Sequence, residues 1–401
     1  MMNVLVFSTI FPSRVDPIRG LYNLRTFEPL AEICNVRVVC PTSVWKRALR
    51  PRELLFTPAD RYGGIEVTYP TYLMIPRLAP QMHASSLYAS VRSHVFSVSR
   101  TPPTDAIVGV FAYPDIAVAA SLAGDLDVPL VAIVVGSDMN DLAYRPALRG
   151  QIRRGLLRAA YVMTVSGGLR DKVVELGIPP ARVVVQYNGV EGDKFTIRDR
   201  AAARSSLRIS GNQRLLCFVG NIVREKGPDL LVDAIVHGVA ADVHIAFLGD
   251  GDLKNELTAR VATLGLTDRV TFLGRQLPNQ VSQWLSACDA LCLPSRREGC
   301  PNAILEALAS GRPVVAASVG GVPEIISDQN GCLVEPENPE ALAAGIAKVL
   351  RRSWEPLALR QSVPALSWKD VAATLHGLLS QAVSAYKPRE PHVVQLAESH
   401  E

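Results

Sequence analysis

The sequence has no apolar run long enough to cross a bilayer, which argues against a membrane-spanning chain. Its longest apolar pieces, for example VPLVAIVV at 128–135, are far shorter than the about 20 residues that a spanning helix needs. Its start, MMNVLVFSTI, places no basic region ahead of the apolar residues, as a secretory signal would. We therefore expect a cytoplasmic protein.

Paired cysteines are also missing, because the seven cysteines include no C-x-x-C pair. An odd number without paired spacing suits neither a disulfide framework nor a tetrahedral zinc site. The closest pair, Cys288 and Cys292, lies in SACDALCLPS, a predicted helix-to-strand passage. Small buried residues are expected there, so the pair is predicted to pack in the core.

Two binding fingerprints are absent as well. The first apolar strand is followed by FPSRVDPIRG instead of the G-x-G-x-x-G loop of dinucleotide-binding enzymes. The chain has a formal net charge of only +4 and lacks the interleaved aromatics or recognition motif typical of nucleic-acid binders. We expect no nucleic-acid partner, and an NAD-dependent oxidoreductase remains only as an alternative.

The excess of basic residues lies in the first half of the chain, in two groups. One group surrounds Trp45 and consists of Lys46, Arg47, Arg50 and Arg52. The other follows a predicted helix and consists of Arg145, Arg149, Arg153, Arg154 and Arg158. Each basic residue beside anionic lipid contributes about 1 kcal/mol, so peripheral contact with the inner face of a membrane is one interpretation. A solvated helix face is the other.

Apolar strand-like runs alternate with helical stretches along the 401 residues, which predicts parallel sheets. Seven runs precede Phe195, and six follow a polar helical passage at 196–212. We predict two Rossmann-like, doubly wound α/β domains, 1–195 and 196–365. Ligands of such sheets bind beyond the carboxyl ends of the strands, so a cleft between the domains is the expected site.

The end of the chain carries one more helical pattern. LSWKDVAATLHGLLSQAVSAY, at 366–386, has the apolar spacing of an amphipathic helix. Residues 387–401 are polar, mixed in charge and without periodicity, so we expect a flexible tail.

The segment REGCPNAILEALASGRPVVAASVGGVP, at 297–323, carries the clearest chemistry. Gly299 permits close backbone approach, and Pro301 suits the first position of the helix that NAILEAL predicts. Unpaired amides and the helix dipole attract phosphate to that helix end. Glu298 and Glu306 would flank the anion, and carboxylates accept hydrogen bonds from sugar or ribose hydroxyls. Taken alone, Glu306 would more often be a solvated helix position.

Glu298, seven intervening residues and Glu306, with GCPN after the first glutamate, resemble the signature of the retaining glycosyltransferases of family four. The resemblance extends from about Asn3 to Trp368 and implies the GT-B fold. It implies a donor site that includes Gly299, Cys300, Pro301 and Asn302, with Glu298 holding the donor sugar and Glu306 the ribose. It also implies that the helix at 366–386 packs back on the first domain.

A second motif, FVGNIVREKGPDLLVDA, places Lys226 just before a helix that starts near Pro228. A cation there can stabilise charge on a departing diphosphate without a metal ion. Family members usually carry an arginine directly after the first glycine, whereas this chain has Asn221 there. Arg224 could take that place. A lone exposed lysine would be the ordinary interpretation of Lys226 without the motif.

Two further loops resemble donor-binding segments of the family. FLGDGDLKNEL places Gly249, Asp250 and Gly251 near the donor. VTFLGRQL resembles the segment that contacts the base through its backbone, and places Arg275, Gln276 and Leu277 near the base. Both have plainer interpretations. Asp252 suits a helix cap, and Arg275 could be an ordinary surface residue.

The first domain departs from the family pattern. Gly20, in the loop after the first strand, would allow close approach of donor or acceptor, although a plain turn glycine competes with that view. Many relatives carry histidine near YPD and VVGSDMN, but this chain has none there. Asp115 and Asp138 are the acceptor-side candidates, with helix or turn capping as the alternative for each.

The leading hypothesis is a retaining, metal-independent glycosyltransferase that needs no cofactor. It would move a sugar from a nucleotide diphosphate, UDP by family resemblance, to a hydroxyl of a lipid-linked or polysaccharide acceptor in cell-surface glycan synthesis. The branch that it resembles is associated with exopolysaccharide and teichuronic acid. A non-catalytic sugar-nucleotide-binding protein is the main alternative, because Asn221 and the missing histidines depart from the family pattern.

Overall fold

A computed structural model describes residues 1–45, 58–73, 80–136, 139, 145–210, 213–362 and 367–388. The predicted alternation of strands and helices is confirmed, and the strands form two large sheets with helices packed on them. The tail from residue 389 and most of the basic group around Trp45 lie outside the described residues.

The first lobe is built on an eight-stranded sheet in the order β10-β9-β8-β7-β1-β2-β5-β4, and a two-stranded sheet pairs β3 with β6. The pairs of the large sheet are parallel except for β4, which runs antiparallel to β5. The strands are β1 (Asn3–Phe7), β2 (Asn35–Val39), β3 (Thr42–Ser43), β4 (Ala59–Tyr62), β5 (Ile65–Thr68), β6 (Thr71–Tyr72), β7 (Ala106–Val110), β8 (Leu130–Val134), β9 (Tyr161–Thr164) and β10 (Val183–Val185).

Helices of the first lobe connect these strands. They are α1 (Leu21–Leu30), α2 (His83–Val98), α3 (Ala117–Leu126), α4 (Pro146–Arg158) and α5 (Gly167–Glu175). All five residues of β7 and of β8 are buried, as expected for parallel strands covered on both faces.

The second lobe contains a six-stranded parallel sheet in the order β13-β12-β11-β14-β15-β16. Its strands are β11 (Arg214–Val219), β12 (Val243–Leu248), β13 (Val270–Gly274), β14 (Ala290–Leu293), β15 (Val314–Ala317) and β16 (Gly331–Val334). Its helices are α6 (Arg200–Ser206), α7 (Pro228–Val236), α8 (Lys254–Thr263), α9 (Pro278–Ala287), α10 (Asn302–Ala309), α11 (Pro339–Arg351) and α12 (Pro356–Gln361).

The last helix, α13 (Trp368–Ala385), returns to the first lobe. Its buried residues Val371, Leu375 and Leu379 belong to the same hydrophobic cluster as Phe27 and Leu30 of α1. Ser367 caps the helix through the amide of Asp370, whose carboxylate accepts from the Ser367 amide in return. No helix among the described residues is both long and apolar enough to span a membrane.

The cysteines behave as core residues. All seven are buried with free thiols, including Cys288 and Cys292. The predicted core packing of that pair is confirmed.

Leu375→Ala should destabilise the protein, because the side chain is fully buried between α13 and the first lobe. A buried leucine truncated to alanine costs about 2–5 kcal/mol, and the loss is measured as a lower free energy of unfolding in denaturant. Gly377→Ala on the same helix is the matched control, since its added Cβ meets nothing within 4 Å and should leave stability equal or higher by up to about 1 kcal/mol. Equal loss in both variants would contradict this packing.

Candidate active site

The carboxyl ends of the strands in both sheets face a cleft of about 730 Å³. Its wall combines the loops after β11 and β14 with the start of α10. The first lobe contributes Tyr22, Phe111, Val135 and Asn188, and the second lobe contributes Asn221, Lys226, Arg297, Glu298, Gly299, Cys300, Pro301, Asn302, Ala303 and Glu306 among others. The structure therefore brings the main sequence-predicted donor residues together.

The Glu298 carboxylate is buried, with a side chain only 4% exposed. Lys226 Nζ lies 2.7 Å from each of its oxygens, and Ser295 Oγ donates to Oε1 at 2.7 Å. A buried carboxylate needs such pairing, because desolvation without a partner costs several kcal/mol. The two residues to which the sequence assigned separate roles are thus one ion pair.

The start of α10 opens into the cleft. The helix begins at Asn302, with Pro301 in the capping position and no side-chain hydrogen bond to the first amides. The expectation that Pro301 is the first helical residue is wrong by one position. Among the described residues no side chain caps these amides, so an anion can bind to them, and the helix dipole favours negative charge there.

Glu306 lies in the second turn of α10 and reaches the cleft wall. Its Oε1 accepts a hydrogen bond from Arg25 Nη1 at 3.2 Å, across the two lobes. Burial raises the pKa of Glu306, while the Arg25 guanidinium acts to lower it. The sequence did not single out Arg25, because nothing in the pattern of α1 predicts a partner on the other lobe.

Glycines set the distance between the lobes. Gly136, with φ 124°, faces Gly299, and a Cβ on Gly136 would lie 2.9 Å from the Gly299 Cα. A Cβ on Gly299 would lie 2.6 Å from the Val135 carbonyl oxygen. Any larger residue at either position would force the lobes apart.

Asn188 links the first lobe to the helix start. Its Nδ2 donates to the Cys300 carbonyl at 3.2 Å and to Asn302 Oδ1 at 2.7 Å. The sequence analysis did not single out Asn188, because no local pattern indicates this contact across the lobes. The neighbouring Cys300 thiol is not a nucleophile at neutral pH, because burial raises its pKa to about 12.

The basic residues at the cleft are only partly those that the sequence predicted. Lys226 and Arg297 line the cleft, whereas the described lining residues do not include Arg224. Arg224 is exposed, and its carbonyl oxygen accepts from Arg296. The arrangement therefore offers Arg297, which the sequence did not nominate, as the second positive charge.

The remaining donor-side candidates lie beside the main cleft. Gly249 packs against the loop after β11, since a Cβ there would lie 1.8 Å from the Gly220 carbonyl oxygen, and Gly251 packs similarly on Ile222. Asp250 and Arg275 line an adjoining pocket that also contains Asn221.

Gln276 and Leu277 stand outside the described cleft lining. Gln276 donates to the Leu273 carbonyl at 2.8 Å, and Leu277 is exposed at the cap of α9. The predicted contact of this segment with the base is through its backbone, so these side-chain positions leave it a prediction.

On the first-lobe side, the wall is aromatic. Tyr22 and Phe111 meet edge to face at 6.3 Å between ring centroids. Phe111 has φ 77°, an unfavourable conformation for a bulky residue and of a kind that clusters at functional sites. The sequence offered no signal for this wall beyond its place after β7.

The acceptor-side candidates have a different outcome. Asp115 is 0% exposed and accepts from the Thr9 amide at 2.6 Å and from Thr9 Oγ1. A fully buried carboxylate does not suit a contact with an acceptor. Its hydrogen bonds to Thr9 instead stabilise the chain after β1. Asp138 lies outside the described residues.

Gly20 has a structural role in the turn before α1. It caps α1 with φ 74°, and a Cβ there would lie 2.8 Å from the Ile10 side chain. The described lining of the cleft does not include it.

A second contact between the lobes lies beside the cleft. The Glu324 carboxylate accepts from the amides of Gly167 and Gly168, both at 2.8 Å, and from Tyr187 Oη at 2.7 Å. The first two amides start α5, where the helix dipole favours a negative charge. Burial and this carboxylate raise the pKa of Tyr187 to about 12, so its hydroxyl remains a donor at neutral pH.

Two family models match the chain. One, described as "Glycosyl transferase 4-like domain", matches residues 22–189, and the other, "Glycosyl transferases group 1", matches residues 213–352. Within the part of the chain that the structure describes, no group of three His, Cys, Asp or Glu residues is placed to hold a metal ion.

Related proteins extend these matches. The "Putative teichuronic acid biosynthesis glycosyltransferase TuaC" of Bacillus subtilis is 28% identical over 373 residues, covering 88% of this chain and 91% of that protein. The "D-inositol 3-phosphate glycosyltransferase" of Mycolicibacterium smegmatis is 36% identical over 219 residues, which are 53% of this chain and 50% of that protein.

Among solved structures, HepE of Anabaena in complex with UDP has a TM-score of 0.74 at 20% identity, covering 95% of this chain and 100% of that one. Two parallel-sheet lobes around one cleft, with these relatives, define a glycosyltransferase of the GT-B fold. This chain belongs to family four of those enzymes.

Glu324→Gln should loosen the contact between the lobes. The amide keeps only one acceptor oxygen and places an NH2 group against backbone amides, so about 1 kcal/mol of interlobe contact should be lost. Small-angle X-ray scattering without ligand should then report a larger radius of gyration than for wild type. Asp328→Asn is the control, because Asp328 is an exposed residue that pairs with Lys348 within the second lobe. Equal radii of gyration for Glu324→Gln and wild type would contradict a stabilising role of Glu324 between the lobes.

Proposed function

We propose that this protein is a retaining, metal-independent glycosyltransferase that moves a sugar from a UDP-sugar to a hydroxyl of a lipid-linked or polysaccharide acceptor. One observation carries the proposal: the Lys226–Glu298 ion pair lies beside the uncapped amides of α10. The names of the relatives support glycan synthesis, since TuaC is named for teichuronic acid. The HepE structure contains UDP, which supports UDP as the first donor to test.

The diphosphate would lie between Lys226 and the start of α10. Lys226 has three N–H donors, so it can keep Glu298 and still donate to a phosphate oxygen. As the sugar departs, negative charge builds on the diphosphate, and preplaced donors stabilise it without rearranging. Arg297 adds a second cation at the same wall of the cleft.

The two glutamates would hold the two sugars of the donor. Glu298, fixed by Lys226 and Ser295, would accept hydrogen bonds from hydroxyls of the transferred sugar. Glu306, further along α10, would accept from the ribose hydroxyls. Glu298 in the loop before α10, the first amides of α10 and then Glu306 follow the order of sugar, diphosphate and ribose in the donor.

The anomeric configuration would be retained because the acceptor hydroxyl attacks the sugar from the same face that the diphosphate leaves. The acceptor oxygen bonds to the anomeric carbon as the bond to the diphosphate oxygen breaks, and the acceptor proton passes to the departing phosphate. A side-chain base is not needed for this step. The aromatic wall of Tyr22 and Phe111 would exclude water from the reacting sugar.

The enzyme would act while bound to an anionic membrane surface. Four exposed arginines lie on α4, which carries no acidic residue, and a fifth stands at its N-terminal cap: Arg149, Arg153, Arg154 and Arg158, with Arg145 at the cap. This face could hold the enzyme near a lipid-linked acceptor. The relatives do not favour an oxidoreductase or a non-catalytic sensor, since their names are those of glycosyltransferases.

Lys226→Ala should lower kcat for sugar transfer by about 10²–10³-fold, because removing one preplaced donor from developing charge has effects of that size. Turnover is measured as UDP released from UDP-sugars in the presence of a glycan acceptor. Lys369→Ala is the control, because Lys369 is exposed on α13 and is not among the described lining residues of the cleft. Turnover within about twofold of wild type in Lys226→Ala would remove its assigned role.

Replacing Arg149 and Arg154 together by glutamine should weaken binding to anionic vesicles by roughly 30-fold, from about 1 kcal/mol per charge. Cosedimentation with phosphatidylserine-containing vesicles at low and high salt measures this. The matched control replaces Arg208 and Arg351, two exposed arginines of the second lobe. If both double variants bind the anionic vesicles with the same affinity, the arginines of α4 contribute only a solvated surface.

A further inference from the structure

We propose that Arg25 is a positioning residue for donor binding, which holds the Glu306 carboxylate by one oxygen so that the other faces the nucleotide ribose. The inference deepens the proposed function and rests on it. It concerns a residue of the first lobe, whereas the proposed donor contacts above come from the second.

The geometry separates Arg25 from the ligand space. Arg25 Nη1 reaches Glu306 Oε1 at 3.2 Å, and both side chains are 11% exposed. Glu306 lines the cleft, but the described lining residues do not include Arg25. The guanidinium therefore lies behind the carboxylate, and its hydrogen bond to this side chain is made to Oε1.

A second carboxylate fixes the guanidinium itself. Arg25 Nη2 pairs with Glu191, and Glu191 also accepts from Lys194 Nζ at 2.5 Å. The planar fork of an arginine suits two carboxylates at once, with less freedom than a lysine would have. Arg25 is thus held by the first lobe while it presents one nitrogen to the second.

Charge explains why Glu306 needs this partner. Burial raises the pKa of Glu306, and Arg25 lowers it by charge and hydrogen bonding. An ionised carboxylate accepts hydrogen bonds on both oxygens, whereas a protonated one carries a donor of its own. Arg25 therefore favours the ionised form, which can accept from ribose hydroxyls.

The same contact ties ribose recognition to the arrangement of the lobes. Arg25 belongs to α1 of the first lobe, and Glu306 to α10 of the second. Their hydrogen bond exists only when the lobes are close together. Arg25 can therefore position Glu306 only in an arrangement that keeps α1 and α10 in contact.

The test compares UDP with 2′,3′-dideoxy-UDP by isothermal titration calorimetry. Wild type should bind UDP more tightly than the analogue by about 10-fold or more, the size expected for hydrogen bonds to a charged acceptor. In Arg25→Gln the preference should fall to roughly 2-fold or less, because the Glu306 carboxylate loses the charged partner that orients it. Arg25→Lys should restore part of it, since the charge returns without the fork.

Two controls separate positioning from loss of structure. Arg92→Gln removes another arginine–carboxylate pair of the first lobe, with Asp125, and should keep the wild-type preference. Glu306→Gln should lose the preference, and Arg25→Gln added to it should lower it no further. Thermal unfolding of each variant shows that it is folded.

The outcomes distinguish the two levels of the proposal. A variant that weakens both nucleotides equally, with the preference intact, would show that Arg25 only supports the fold and would overturn the inference alone. If the wild-type protein binds UDP and the analogue with equal affinity, or binds neither of them, Glu306 does not hold the ribose. Either result would overturn that role of Glu306 and, with it, the inference about Arg25. Loss of preference in Arg25→Gln with partial return in Arg25→Lys would establish the positioning role.

Discussion

The buried charge of Glu298 is the constraint on which the cleft depends. A carboxylate that is 4% exposed cannot stand alone, and Lys226 and Ser295 pair it at 2.7 Å. This pairing joins the loop after β11 to the loop after β14, which are neighbouring strands of one sheet. It also places a cation beside the open amides of α10, so the anion site follows from the same pair.

The approach of the lobes adds the second half of the site. Gly136 and Gly299 meet without side chains, and polar contacts surround that point. Asn188 reaches the start of α10, Arg25 reaches its second turn, and Glu324 reaches the start of α5. Each contact pairs a charge or amide of one lobe with the other, so the cleft is formed by both lobes together.

The sequence predicted the parts of the site that local pattern controls. Apolar runs bounded by glycine and proline identified the strands that form the two sheets, and the spacing of Glu298 and Glu306 placed both on one helix start. Short edge strands such as Ala59–Tyr62 escaped prediction, because their residues alternate between half-buried and exposed and carry no apolar run.

What the sequence could not predict depends on distance in the folded chain. Arg25 and Glu306 are 281 positions apart, so no spacing rule relates them. Asp115 was an acceptor-side candidate because it lies where many relatives carry a histidine, yet it is fully buried and accepts a hydrogen bond from the Thr9 amide after β1. Local sequence also could not distinguish Arg224 from Arg297, since only packing decides which of the two faces the cleft.

Thermal unfolding with nucleotides tests the central claim most directly, that this cleft binds a nucleoside diphosphate without a metal ion. The protein would be heated with UDP, GDP, ADP or NAD, each with magnesium and with a chelator. At about 100 times its dissociation constant, a bound ligand adds about 2.7 kcal/mol to stability. We predict a selective shift with UDP that is unchanged by the chelator. A shift with NAD alone, or a UDP shift that disappears with the chelator, would contradict the account.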